Sequence, residues 1–332
     1  MLTGAPTSAD FALDLGSSKS RLSSAQGLLR SVPSVVAMRQ GRDGRAPAAV
    51  GVRAKEMLGR APSHVRVVSP IRAGAVVDFE VAEHLVRSLL TAVSGSSFRR
   101  PSVLVSVPQE LGEAGRRALL DCVRASGAGR VQLVSGTLAA AIGADLPVFE
   151  PVANLVADVG GGRTEAALYS LGGAVASRSV ELGGDQMDSD LGAWARKERG
   201  IVLSATTAEQ LKLAHANGAD KVPARGRDMA TGAPRDLVAT DDEISAVLLR
   251  TSNRIASVLV ELLRSSPPEL CSDLLDRGII LAGGVSEYAP MLQLLRDRTG
   301  LPALPVGEPA ECVARGLSRL LLQPDLYGRA VG

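Results

Sequence analysis

"DVGGGRTE", residues 158–165, decides how this chain folds. It leaves one apolar run, "NLVADV" (154–159), through three consecutive glycines and enters another, "TEAALYS" (164–170). Glycine inside a strand loses backbone entropy and packs nothing, so the triplet marks a turn where something approaches the backbone closely. Successive N–H groups in such a turn form a concave nest for an anion. An earlier segment, "DLGSSKS" (14–20), shares the order Asp-x-Gly-x-x-basic-hydroxyl with "DVGGGRT" (158–164). Each leaves a buried strand and enters another. This short internal repeat predicts a duplicated α/β fold whose two loops face one another across a cleft and clamp a polyphosphate from both sides. Asp14 and Asp158 then share a metal, and Mg²⁺, which takes few carboxylates and keeps its waters, suits them. A third turn, "LAGGVSE" (281–287), lets backbone approach a flat ring. Each glycine turn alone reads as an ordinary tight turn; three in this order, two headed by Asp, do not.

The rest of the chain alternates strands and helices. "FALDLG" (11–16), "SVVAMRQ" (34–40), "PSVLVSVP" (101–108) and "RVQLVS" (130–135) read as strands. "VRAKEMLGRAP" (52–62) carries the spacing of a short helix, and "VAEHLVRSLLTAV" (81–93) sets Val81, Leu85, Leu89 and Val93 on one helical face. "ELGEAGRRALLDCVRASG" (110–127) is an amphipathic helix closed by Gly127, and "TLAAAIGADL" (137–146) is the next helix. The second half opens with a three-strand meander from 154, followed by helices around 186–199 and 206–216, a hairpin within 228–240, and a long helix at 242–266. "AECVARGLSRLLLQ" (310–323) reads as a terminal helix.

Composition excludes several classes. The 332 residues are 45% hydrophobic but only 2% aromatic, so the cores are Ala, Val, Leu and Ile. A net charge of +2 gives no electrostatic case for nucleic-acid binding. Cys122, Cys271 and Cys312 are odd in number, far apart and in apolar helical patterns, which reads as reduced core thiols. His64, His84 and His215 are isolated, and read as structural or surface residues. The N-terminus lacks the basic-then-apolar order of a signal peptide, and no window of about 18 apolar residues spans a membrane.

The motifs carry a family resemblance. "ALDLGSSKSRL", "SVVA", "AKEMLGRAP", "IRAGAVVDFEVAEHLVR", "LAAAIGADLPVFEP", "ADVGGGRTEAALYSLGGAVASRSVELGGDQMD", "TAEQLK", "RGRDMATGAP" and "DRGIILAGGV" resemble the bacterial actin MreB family with its Mbl-type paralogues, within the actin, sugar-kinase and heat-shock ATPase superfamily. The resemblance covers nearly the whole chain, and "GGDQMD" with "TAEQLK" is specific to this family among actin-like proteins. It implies an actin-like duplicated ribonuclease-H-type α/β fold, with two lobes in four subdomains around a nucleotide cleft. Residues 1–33, 77–144 and 315–332 would form the first large subdomain, with 34–76 as its small insertion. Residues 145–184 and 240–314 would form the second, with 185–239 as its insertion. It further implies ATP with Mg²⁺ in the cleft. Asp14 and Asp158 would face the metal, Ser17, Ser18 and Lys19 the phosphates from one side, and Gly160, Gly161, Gly162 and Arg163 from the other. Glu209 and Lys212, one helical turn apart, would contact the sugar or base, a pair that otherwise reads as a solvated i,i+3 ion pair. Gly283, Gly284, Val285 and Ser286 would flank the adenine.

Departures from the family pattern matter as much. The family usually opens the helix that here reads "TLAAAIGADL" with Glu-Glu-Pro, where a Glu positions the attacking water; here stand Ser135, Gly136 and Thr137. Neither hydroxyl replaces a carboxylate as a base at neutral pH. Lys19 replaces an Asn, Arg163 a Thr and Val285 a Gly. The two added cations either hold a triphosphate or point to solvent, or Arg163 fills the phosphate space. Weak or absent hydrolysis is expected, with Ser135→Glu and Gly136→Glu as gain-of-function tests. Glu165 is expected to aim away from the phosphates if Thr164 faces them.

The resemblance implies a cytoplasmic filament of like subunits at the inner face of the cell membrane, directing cell-wall synthesis with MreB-type paralogues and membrane proteins of wall elongation. Its direct membrane contact would be the loop "SGSSFRRP" (94–101), with Phe98 inserting and Arg99 and Arg100 meeting anionic lipid, although the same loop also reads as ordinary. Two other readings are a degenerate non-polymerising paralogue that regulates a true filament, and a small-molecule kinase. The family-specific motifs argue against the kinase.

Overall fold

The computed structural model describes residues 9–41, 44–94 and 99–331. The first lobe opens with an antiparallel meander of β1 (Phe11–Leu15), β2 (Lys19–Ser24) and β3 (Gly27–Pro33). The chain then leaves for a small three-stranded sheet of β4 (Val36–Gly41), β5 (Gly44–Val50) and, after α1 (Val52–Glu56), β6 (Val65–Val68). A tight ribbon of β7 (Ile71–Arg72) and β8 (Ala75–Val76) leads to α2 (Phe79–Ser94), β9 (Val103–Val107), α3 (Glu113–Ala125) and β10 (Val131–Ser135). β9 and β10 add in parallel beside β1, giving the order β10-β9-β1-β2-β3. Helix α4 (Gly136–Gly143) leads out of the lobe.

The second lobe repeats this plan. β11 (Asn154–Val159), β12 (Thr164–Ser170) and β13 (Gly173–Val180) form its meander, followed by α5 (Gly184–Arg199). A second small sheet contains β14 (Ile201–Val202), then, after α6 (Ala205–Ala216), β15 (Lys221–Asp228) and β16 (Pro234–Thr240). The chain continues through α7 (Asp241–Arg264), α8 (Pro268–Arg277), β17 (Ile279–Ala282), α9 (Ala289–Thr299) and β18 (Ala303–Pro305). The large sheet has the order β13-β12-β11-β17-β18, strand for strand the order and sense of the first. The duplication read from two seven-residue motifs is therefore a duplication of whole sheets. The chain returns through α10 (Cys312–Leu322), and α11 (Pro324–Val331) follows it, so the helix expected to be terminal is the penultimate one.

Local chemistry explains the longest helix. Thr240 and Glu243 form a reciprocal capping box at the start of α7, and Asp241, Asp242 and Glu243 place negative charge against its N-terminus. Its buried stripe includes Ile244, Leu248, Ile255, Leu259 and Leu262. The lobes share one further core. α4 and α10 pack between the two large sheets, with Leu138 and Leu317 meeting Leu104 and Val134 on one side and Val156 and Ala167 on the other. The two helices touch through glycines. A methyl group on Gly316 would land on the carbonyl oxygen of Ala139, and one on Gly143 on the carbonyl oxygen of Cys312. At the C-terminal end of α4, Arg319 Nη1 donates to Ile142 O (2.6 Å), which also accepts from Asp145 N (3.1 Å), and Arg315 Nε donates to Gly143 O (2.7 Å).

Candidate functional site

The two glycine loops have the same turn. Gly16 N donates to Lys19 O (3.2 Å), and Gly160 N donates to Arg163 O (2.9 Å). A Cβ on Gly16 would lie 2.8 Å from Lys19 O, so the side chain is absent for a steric reason. The loops also meet. A Cβ on Gly161 would lie 2.9 Å from the Cβ of Ser18, and one on Gly162 2.5 Å from Ser17 Oγ. The N-terminus of α5 closes on the second loop, where Gly184 N donates to Gly160 O (3.1 Å) and Asp185 N to Gly161 O (2.8 Å). Any side chain on Gly183 would strike the carbonyl oxygens of Gly160 and Gly161, which is the physical content of "GGD".

The floor of the cleft between these loops is lined by Asp14, Ser17, Gly136, Asp158, Gly161 and Arg163. Asp14 is fixed on both oxygens: Ser106 Oγ donates to Oδ1 (2.9 Å), and Arg21 Nη1 lies 3.3 Å from Oδ2. Burial pushes the Asp158 carboxyl up to about 7, with Asp14 and Glu165 adding to the shift and Arg21 opposing it. No cluster of three or more His, Cys, Asp or Glu among the described residues forms a metal cage. Two mutually repelling carboxylates with phosphate oxygens to complete the shell are the donor set Mg²⁺ takes, so the residues fit that ion.

The structure brings most of the expected residues together, but not all in the expected way. Lys19 is exposed and is not among the residues lining the floor. Lys212 Nζ is buried against α5, 2.7 Å from Asp188 Oδ1 and 3.0 Å from Gly184 O. Glu209 reaches across the cleft mouth to Lys55 Nζ on α1, at 2.7 and 2.8 Å from its two oxygens. The third glycine turn sits beside this group. A Cβ on Gly184 would lie 3.4 Å from Val285 Cγ2 and 3.1 Å from Lys212 Nζ. Gly283 has φ 85°, and a side chain there would strike Asp158. Ser286 spends its hydroxyl on Ala282 O (2.5 Å) inside the core, leaving Gly284 and Val285 as the surface of that turn.

Two expectations change. Arg163 is not solvated: its side chain is 16% exposed and lies 3.0 Å from Glu165 Oε1. Thr164 is fully buried with its hydroxyl on Leu182 O (2.8 Å), so the alternation argument runs the other way and Glu165 faces the cleft. The missed signal is register. Asp158 pairs directly with Glu165 as Asp14 pairs with Arg21, and opposed residues of an antiparallel pair share a face. At the departed helix start, Ser135 and Gly136 differ. Ser135 caps α4 and sits in a hydroxyl cluster with Thr137 Oγ1 (3.0 Å) and Tyr169 Oη (3.2 Å), whereas Gly136 looks into the cleft.

Phe98 lies outside the described residues. Arg99 beside it is held by Asp10, with Nη2 at 2.6 and 2.8 Å from the two carboxylate oxygens.

Comparison with known proteins agrees with this geometry. The family model described as MreB/Mbl protein matches residues 8–328. The cell shape-determining protein MreB of Escherichia coli (strain K12) is 38% identical over 329 residues, covering 96% of this chain and 95% of that one. The crystal structure of MreB5 of Spiroplasma citri bound to AMPPNP superposes with a TM-score of 0.86 at 28% identity, covering 92% and 93% of the two chains. The MamK double helical filament shares the fold with a TM-score of 0.78 at 20% identity over 94% and 98%. Doubled sheets, doubled loops and the full span of these matches lead to one conclusion: the chain belongs to the MreB/Mbl family.

Proposed function

We propose that this chain is an actin-like cytoskeletal protein that binds ATP with Mg²⁺ and assembles into filaments that set cell shape. The observation that carries the nucleotide site is the pair of identical turns, Gly16–Lys19 and Gly160–Arg163, meeting across the floor that holds Asp14 and Asp158. Backbone N–H groups of both turns cradle phosphates, and Val285, Gly184 and the Lys55–Glu209 pair bound the space toward the mouth. When bound, Mg²⁺ supplies charge neutralisation between the carboxylates and the phosphates. Asp158 and Asp14, the latter fixed by Ser106 and Arg21, are the carboxylates that would hold it. Filament formation is supported by the family and by the MamK assembly of the same fold. No helix among the described residues is long and apolar enough to cross a membrane. The membrane contact that the family resemblance implies is peripheral, strengthened by repetition along a filament. Paralogous filaments and wall-elongation proteins are the partners it implies.

Asp158→Asn tests the metal assignment. Removing a carboxylate that burial and Asp14 oppose raises the melting temperature of the metal-free protein by roughly 1.5 °C, about 1 kcal/mol. The gain in nucleotide affinity that Mg²⁺ brings to the wild type falls at least about tenfold, as expected for a charged contact. Equal Mg²⁺ enhancement in variant and wild type, measured by calorimetry, refutes the assignment.

Assembly is read by sedimentation. The protein pellets with ATP at high protein concentration. A chain that stays monomeric with ATP and liposomes present is the non-polymerising regulator instead.

A further inference from the structure

The three glycines of the second loop lead to a residue with too few partners. Arg163 lines the cleft floor beside Gly160, Gly161 and Gly162, and its guanidinium is mostly buried. It makes one close ion pair, Nη2 to Glu165 Oε1 at 3.0 Å, while Glu110 of the first lobe stands at 4.0 Å, outside hydrogen-bond reach. Its Nε is buried and has no acceptor. An orphaned buried donor is costly, and this one belongs to a side chain that lines the cleft floor with the three glycines of its own loop.

Glu165, which holds Arg163, and Glu110 near it also tie the lobes together. Glu165 Oε1 accepts from the backbone N–H of Gln109 (3.1 Å), in the turn between β9 and α3. Ser179, opposite Glu165 on β13, donates to Glu110. Two neighbouring positions on the edge of the second lobe therefore grip two consecutive residues of the first, with Arg163 between the carboxylates.

We infer that Arg163 is the group by which this chain distinguishes a nucleoside triphosphate from a diphosphate, and that it does so by exchanging carboxylate partners. Without a γ-phosphate, Glu165 holds the guanidinium, with the Glu110 charge beside it. With one, the planar fork turns to the phosphate oxygens, which match its geometry and satisfy Nε. Glu165 and Glu110 then lose their shared cation, and the grip on Gln109 and Glu110 loosens. A ligand shifts a conformational equilibrium only through a contact made in one state and not the other; the γ-phosphate contact at Arg163 is such a contact. The inference rests on the proposed nucleotide site and adds what that site reads.

The test titrates AMPPNP and ADP, each with Mg²⁺, against wild type, Arg163→Ala, Arg163→Lys and Glu110→Gln, with amide hydrogen exchange at 109–111 as a second readout. Wild type prefers AMPPNP by about tenfold or more, the scale of a charge-assisted bond. Arg163→Ala removes most of that preference, read as the ratio of AMPPNP to ADP affinity within the same variant, and Arg163→Lys, without the fork, restores only part of it. Glu110→Gln strengthens AMPPNP binding and leaves ADP unchanged, which gives an independent answer if Arg163→Ala folds poorly. Exchange at Gln109 quickens with AMPPNP and not with ADP. An unchanged AMPPNP-to-ADP ratio in Arg163→Ala, or equal protection of Gln109 with both ligands, overturns the sensor while leaving the site intact. Failure of wild type to bind either nucleotide at millimolar concentration overturns the site and the sensor together.

Discussion

Gly136→Glu raises the phosphate-release rate by about a hundredfold, the low end of what a positioned base contributes. The backbone admits the side chain: Gly136 has no positive φ, and a Cβ there meets only Val107 O, at an ordinary 3.6 Å. The new carboxylate starts at the first turn of α4, where no acid now stands and where negative charge suits the helix N-terminus. From there it points across the floor lined by Asp158 and Arg163. Ser135→Glu does not share this effect. It removes the helix cap, worth about 1 kcal/mol, and breaks the hydroxyl cluster with Thr137 and Tyr169, whose side chains are buried. The comparison is a steady-state phosphate assay with Mg²⁺ and ATP on both variants and on Glu165→Gln. An unchanged rate in Gly136→Glu, with turnover lost in Glu165→Gln, means that Glu165 already orients the water and that the chain hydrolyses ATP by its own route.

Gly316→Ala has the largest expected effect on stability. One methyl group drives α10 away from the Ala139 carbonyl and opens the core that both sheets share. Close-packed interiors absorb little of this. The expected loss is about 4 kcal/mol, or roughly 6 °C in melting temperature for a chain of this size. Gly192→Ala is the control. It lies inside α5 with nothing within 4 Å of its Cβ position, so the same chemical change stabilises by up to about 1 kcal/mol. Thermal unfolding of both variants separates a packing cost from a propensity gain. A Gly316→Ala protein that melts with the wild type removes the argument.

The fold was legible because glycine, aspartate and apolar runs report backbone demands that nothing else satisfies. "DLGSSKS" and "DVGGGRT" each carry the whole hairpin turn in seven residues, and the sheets around them follow. What the sequence hid is pairing. Alternation counted from Thr164 needs to know which face Thr164 takes, and that depends on Leu182, eighteen residues away in the chain. Arg21 beside Asp14, Lys55 opposite Glu209 and Glu110 near Arg163 are contacts between segments whose separation gives no periodic signal. Ser135 and Gly136 looked equivalent as a missing acid. Only the helix they begin shows that one is a cap and the other a window on the cleft.

The glycine contact between α4 and α10 also sets the mechanics of the molecule. The chain passes from the first lobe to the second just after α4 and returns just before α10, so both crossings are anchored at the point where the backbones touch. Helices locked backbone to backbone do not slide, and the contact becomes a fulcrum. The small sheets and their helices α1 and α6, which meet through Lys55 and Glu209, are then the ends of two lever arms. A rotation too slight to disturb the fulcrum is enlarged at those ends, so the mouth of the cleft is where the angle between the lobes is most plainly read.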